Sequence, residues 1–184
     1  MRLWKSFRVQ RRNEISYYDT MGEFEAERFA VNLNQLIAEA MAEKQKAGVI
    51  FLCIGTDRST GDSLGPLVGH KLRKCRLKKA AVIGTLDKPV HAMNLEVYAA
   101  YIRTHFPDHV IVAVDASVGQ TEHVGCITLG KGALRPGLGV CKELQAVGDI
   151  FITGIVGGCG SCDPLMLQSV RLSVVMRMAD YICD

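Results

Sequence analysis

The stretch "CIGTDRSTGDSLGP", residues 53 to 66, sets two acids, Asp57 and Asp62, among glycines, hydroxyls and a proline directly after an apolar run. A second apolar run, "VIVAVDAS", ends on Asp115. Two carboxylates that converge in a partly buried cleft repel each other, so one keeps its proton near neutrality while the other stays ionised. Such a pair can activate a water molecule and protonate a leaving amine. Each acid also has a structural explanation. Asp62 stands where an N-cap aspartate would begin a helix. Asp115 could bond backbone amides at a strand end, and Asp57 suits an Asx turn in a Gly/Ser/Thr loop.

Other chemistries compete for the same residues. The loop lacks the Gly-Lys-Ser/Thr ending of a phosphate-binding P-loop, and "GTDRSTG" is not a G-x-G-x-x-G dinucleotide fingerprint. Arg58 is the one residue in it suited to an anion. "GGCGSCDP" at 157 to 164 carries Cys159 and Cys162 as a C-x-x-C between an expected strand and an expected helix, the placement that lowers a thiol pKa in redox proteins. The letters "CGSC" also match the papain nucleophile motif. Asp163 stands where an aromatic belongs, however, and no histidine follows. A single pair supplies only two of the four ligands of a structural zinc. His91 or His123 could approach the cleft, but a lone histidine is more often a hydrogen-bonded surface residue than a ligand.

Positioning Asp62 and Asp115 together requires particular elements. Residues 22 to 46 place Phe24, Phe29, Leu33, Leu36, Ile37 and Met41 near one helical face. "VIFLCI" at 49 to 54 reads as a strand buried on both faces, as in a parallel sheet covered by helices. A helix at about 63 to 75, a strand at 80 to 86, a helix at 92 to 106 and a strand at 109 to 116 continue the alternation. A strand at 124 to 130 follows too quickly for a helical crossover, so it is expected to run antiparallel to a neighbour. Another strand at 149 to 156 and an apolar helix at 164 to 182 complete the chain. The order predicts a three-layer α/β/α sandwich on a mostly parallel sheet, with its ligand crevice beyond the carboxyl ends of the strands. Both acids fall there.

Composition narrows the class. With 48% hydrophobic and 22% charged side chains, 184 residues suffice for one core, taken here as a single domain over 21 to 184 behind a basic, solvated arm at 1 to 20. A net charge of +3 gives no case for nucleic acid. No apolar run is long enough to span a bilayer, and no signal-peptide core follows the N-terminal charges, so the expected location is the cytoplasm. Seven cysteines, an odd number scattered through apolar segments, suit a reducing compartment and small core positions.

The glycine, six residues, acid, hydrophobic residue and glycine of "GTDRSTGDSLGP" resemble the first motif of the germination proteases of spore formers and of the related hydrogenase maturation endopeptidases. Residues 107 to 144 are similar to a second germination-protease stretch, in which a strand ends in Asp-Ala and a Pro-Gly-x-Gly loop leads to a basic residue. Two motifs in order, within a match over about 49 to 156, are more specific than one glycine loop. The short length resembles the YyaC-type sporulation proteins within this group. The resemblance implies an atypical aspartate endopeptidase of the sporulating cell or forespore. Its two acids fall on Asp62 and Asp115, and substrate contacts fall on Gly55, Thr56, Arg58, Gly137, Gly139 and Lys142. Thr56 replaces the usual asparagine, and "PGLGVCKE" supplies only Lys142 where the resembled loop runs into an asparagine and basic pair. The maturation endopeptidases grip nickel with a histidine downstream of the second acid. Here no histidine follows His123, so neither metal nor cofactor is expected. The expected partner is a protein or peptide substrate, with self-association left open. A catalytically silent relative that binds a peptide in the same cleft, and a thiol redox protein using Cys159 and Cys162, are the alternatives.

Overall fold

Strand β2 (Gly48–Cys53), with the sequence GVIFLC, is apolar at consecutive positions because helices cover both faces of the sheet in which it lies. The computed structural model describes residues 15–136, 144–158 and 164–184, the side chains of 164–166 excepted. With β1 (Ser16–Asp19), β3 (Ala80–Ile83), β4 (His109–Gly119), β5 (Cys126–Lys131) and β6 (Ile150–Gly158), it forms one six-stranded sheet ordered β1-β5-β6-β4-β2-β3. The neighbours β3, β2, β4 and β6 are parallel. β5 runs antiparallel to both β6 and β1, as its short connection from β4 requires.

Helices α1 (Ala26–Lys44), α2 (Leu64–Leu72) and α5 (Leu172–Cys183) cover one face, where Phe29, Leu64, Val68 and Met178 pack on Val112, Val114 and Ile152. Helix α3 (Leu95–His105) covers the other, with Leu95, Ala99 and Ile102 against Ile50, Leu52 and Ala113. The three-layer mixed sandwich expected from the alternation is therefore present. The α1 face is also as expected: Phe29 is buried, with Phe24, Leu33, Leu36, Ile37 and Met41 packed against the same cluster.

Two boundaries differ from the sequence expectation. Ser16–Asp19, assigned to the arm, form the edge strand β1, held by register pairs from Ser16 with Leu129 to Asp19 with Cys126 and by the buried Tyr18. Four residues with two tyrosines are too short to mark a strand by themselves; the pairing with β5 makes them one. The last helix is two helices, α4 (Pro164–Ser169) and α5, separated at Val170 and Arg171, where Arg171 has extended backbone. The break lets α5 lie along α2 while α4 crosses the turn at Gly61–Ser63, where Leu167 packs on Gly61.

Candidate active site

β2 sends its chain outward to β3 through α2, and β4 lies on its other side, so the strand order reverses between β2 and β4. Open α/β sheets bind ligands at such a switch point. A cleft of about 460 Å³ lies there, and both Asp62 and Asp115 line it.

Asp62 is placed by a loop that has to fold tightly. After Ile54, whose N–H donates to the Val114 carbonyl at 2.7 Å, the chain turns at Gly55 with φ +136°. A Cβ at Gly55 would lie 2.0 Å from the Asp62 carbonyl oxygen, so any side chain would displace the acid's own backbone. The Thr56 N–H closes the loop on that same carbonyl at 3.0 Å. Asp62 then begins the first turn of the helical segment, and Gly65 brings α2 against the end of β2: a Cβ there would stand 2.0 Å from the Ile54 carbonyl oxygen. Asp62 lies inside the Gly61–Ser63 turn, whose N-cap is Thr60, and Ser63 is the N-cap of α2, so Asp62 occupies neither capping position.

Asp115 comes from the other layer. It lies on β4 with the alternation of Ala113, on the α3 side of the sheet, and is buried. Its carboxylate accepts the Ala116 N–H at 2.8 Å, and no cation pairs with it among the described residues. Its register partner on β6 is Thr153, whose own partner on β5 is Thr128. The hydroxyls of Thr153 and Thr128 are 2.6 Å apart, and Ser117 donates to Thr153 at 3.1 Å. A buried row of hydroxyls thus runs from the cleft wall into the sheet.

The two acids are driven in the same direction to different extents. Burial pushes Asp62 up to about 6, against a smaller opposing pull from the Thr56 backbone N–H. Burial lifts Asp115 well above the ordinary carboxylate range, the nearby Asp62 charge lifts it further, and the Ala116 N–H offsets part of this. Asp62 therefore ionises first, and Asp115 holds its proton after Asp62 has lost its own.

The remaining expected residues divide into three groups. Gly55, Thr56 and Arg58 line the cleft with the acids; Arg58 is exposed at its mouth, and its N–H donates to the Thr56 hydroxyl at 3.3 Å. Thr56 thus supplies the local side-chain acceptor at the turn. Gly137, Gly139 and Lys142, like Cys159 and Cys162, lie outside the described residues; the flanks of the glycine loop, Pro136 and Leu144, both line the cleft. Of the two histidines, His91 lines the cleft, fixed by its N–H to the Asn94 side chain at 2.8 Å, whereas His123 stacks on Tyr17. Of the described cysteines, Cys53 is buried but Cys75 is exposed. Sequence reasoning did not single out Ser117 and Ser59. Ser117 follows Asp115 by two residues on a strand, a spacing that signals a shared face. The Ser59 hydroxyl is buried, has no partner among the described residues and lines the cleft. Among the described residues no cluster of three or more His, Cys, Asp or Glu could hold a metal ion.

The fold is an open, mostly parallel α/β sheet, with Asp62 and Asp115 lining the cleft at its switch point. Residues 21–184 match the model of the family described as "Protein of unknown function (DUF1256)", and the chain belongs to that family. It is 41% identical over 155 residues to "Uncharacterized protein YyaC" of Bacillus subtilis (strain 168), a match covering 84% of this chain and 76% of that protein. A crystal structure of the NiFe hydrogenase maturation protease HycI from Thermococcus kodakarensis KOD1 superposes with a TM-score of 0.43 at 17% identity, over 75% of this chain and 91% of that one.

Proposed function

We propose that the chain is an aspartate-type endopeptidase related to the germination proteases, acting on a protein substrate in sporulating cells. The observation that carries this is the pair of acids: Asp62 and Asp115 reach one cleft from opposite layers of the sheet, and their surroundings favour opposite protonation states. Two sequence motifs that resemble those proteases fall on the same two residues. Asp62, ionised, takes a proton from a water molecule whose oxygen attacks the scissile carbonyl carbon. Asp115, protonated, delivers its proton to the amide nitrogen as the carbon–nitrogen bond breaks. A carboxylic acid and an amine result, and exchange with solvent restores the starting protonation of both aspartates.

The test is cleavage of individual proteins in extracts of sporulating Bacillus subtilis, followed by mass spectrometry with the parent chain, Asp62→Asn and Asp115→Asn. The parent should remove a small set of proteins, with chelator making no difference, and each variant should remove none. Cleavage retained in both variants would eliminate the two-carboxylate mechanism. No cleavage by the parent in any extract would favour the silent, peptide-binding relative.

A further inference from the structure

β4 is longer than the strand beside it. Its pairing with β2 ends at Val114 opposite Cys53, but its pairing with β6 continues to Gly119 opposite Gly158. Over 116–119 the β2 side of β4 therefore has no partner strand among the described residues. The register fixes which groups face that gap. The Val114 carbonyl accepts the Ile54 N–H, so Val114 points its backbone polar groups at β2, and alternation gives Ala116 and Val118 the same direction; the Ala116 N–H is taken by Asp115, which leaves the Val118 N–H and the Ala116 and Val118 carbonyls to face the gap. The register shift at Ser117 and Val118 skips a residue on β6 rather than on β4, which leaves that alternation intact.

The gap is the lane that β2 vacates. β2's chain leaves it at Gly55, towards Asp62. On the far side, Val90 bridges Ile54 in parallel and its carbonyl accepts the Gly55 N–H at 2.7 Å, so 89–93 enters as the opposite wall. Pro89, Ala92 and Met93 on that wall and Ala116 and Val118 on the other all line the cleft. Asp62 and Asp115 approach the lane from its two faces.

We infer that the cleft takes an extended, unfolded polypeptide segment as an added strand in the vacated β2 lane, paired with the 116–119 edge of β4. An exposed strand edge is a template for such addition, in which main-chain hydrogen bonds hold the segment and pockets choose alternate side chains. Here the apolar lining favours an uncharged residue beside the two acids. A segment in this lane presents its backbone, rather than a side chain, to Asp62 and Asp115. A folded surface loop does not fit, because a strand lies within about 4.8 Å of its neighbour along its length. The inference rests on the peptide-handling reading of the cleft, in either its active or its silent form.

The test pans a random library of peptides of about nine residues, longer than the usual strand, against the full chain. Amide exchange of the parent chain is then followed by NMR with the best binder. The Val118 amide should slow about tenfold or more on binding. Val118→Pro, which removes that N–H, should abolish binding, while Val118→Ala should keep it. Should Val118→Pro not fold, the exchange measurement on the parent decides. A binder that protects Val118 but is never cleaved upholds the lane and counts against the active peptidase. A binder that is cleaved while Val118 exchanges as before overturns the lane and leaves the peptidase. Failure to select any binder overturns the lane.

Discussion

Two aspartates on the β4–β6 pair, Asp149 just before β6 and Asp115 within β4, are treated very differently. Asp149 precedes β6 at the amino end of the sheet, where its carboxylate accepts the Ile111 N–H at 2.8 Å and forms an ion pair with Lys44. Asp115, where β4 passes the end of β2, has one amide from its own neighbour and faces another acid. A carboxylate that serves the fold is given a cation and a fixed donor. One left buried without a cation is held at a cost to stability, and such groups concentrate at functional sites.

The largest effect that would sharpen this contrast is on catalysis. Asp115→Asn and Asp62→Asn should each lower cleavage by about 10²–10⁴-fold, the range for losing a general acid or base. Asp149→Asn should leave cleavage within about twofold once corrected for the folded fraction, because it contributes nothing to the cleft. Steady-state assays on a purified substrate check both, and a comparable loss from Asp149→Asn would break the contrast.

Stability should move in the opposite sense. Asp149→Asn loses the ion pair and weakens a charge-assisted bond, at a cost of about 1–3 kcal/mol. Asp62 has its pKa raised on folding, so the folded state holds its proton more tightly than the unfolded chain does. Its contribution therefore becomes less favourable as pH rises from about 4 through about 6. Asp62→Asn should for that reason raise stability at pH 7 by on the order of 1–3 kcal/mol, a difference that disappears below about pH 4. Urea unfolding at several pH values measures this. Destabilisation by Asp62→Asn at pH 7 would mean that the acid serves the fold.

The pH profile of cleavage is a finer probe. The rate constant kcat/KM should rise with pH until Asp62 has ionised, at about 6, and should fall again at higher pH as Asp115 loses its proton. The smallest expected effect is that of Asp57→Asn. Asp57 is exposed at the cleft mouth, and the change should alter stability by less than about 0.5 kcal/mol and cleavage by less than either cleft acid does.

The same contrast separates what was legible in the sequence from what was not. Asp62 and Asp115 stood out because each ends or follows an apolar run, and a parallel sheet delivers such ends to one crevice. The glycines that seat the Asp62 loop were visible as letters. Their reason, close backbone approach of Gly55 to Asp62 and of Gly65 to Ile54, depends on packing. β1 was not legible because its strand character comes from β5, more than a hundred residues away in sequence. The break between α4 and α5 was hidden by uniform apolarity, since contacts with α2 and with the Gly61 turn decide it. The overhang of β4 past β2 was invisible for a similar reason: apolar periodicity marks strands but not where a neighbour stops.

The central claim is that Asp62 ionises while Asp115 still keeps its proton, and carboxyl carbon NMR of the chain labelled at its aspartates tests it most directly, with Asp62→Asn and Asp115→Asn assigning the signals. The account predicts that Asp62 titrates near about 6 and that Asp115 still carries its proton when Asp62 has lost its own. Titration of both carboxyls near 4, as for solvated aspartates, would contradict it.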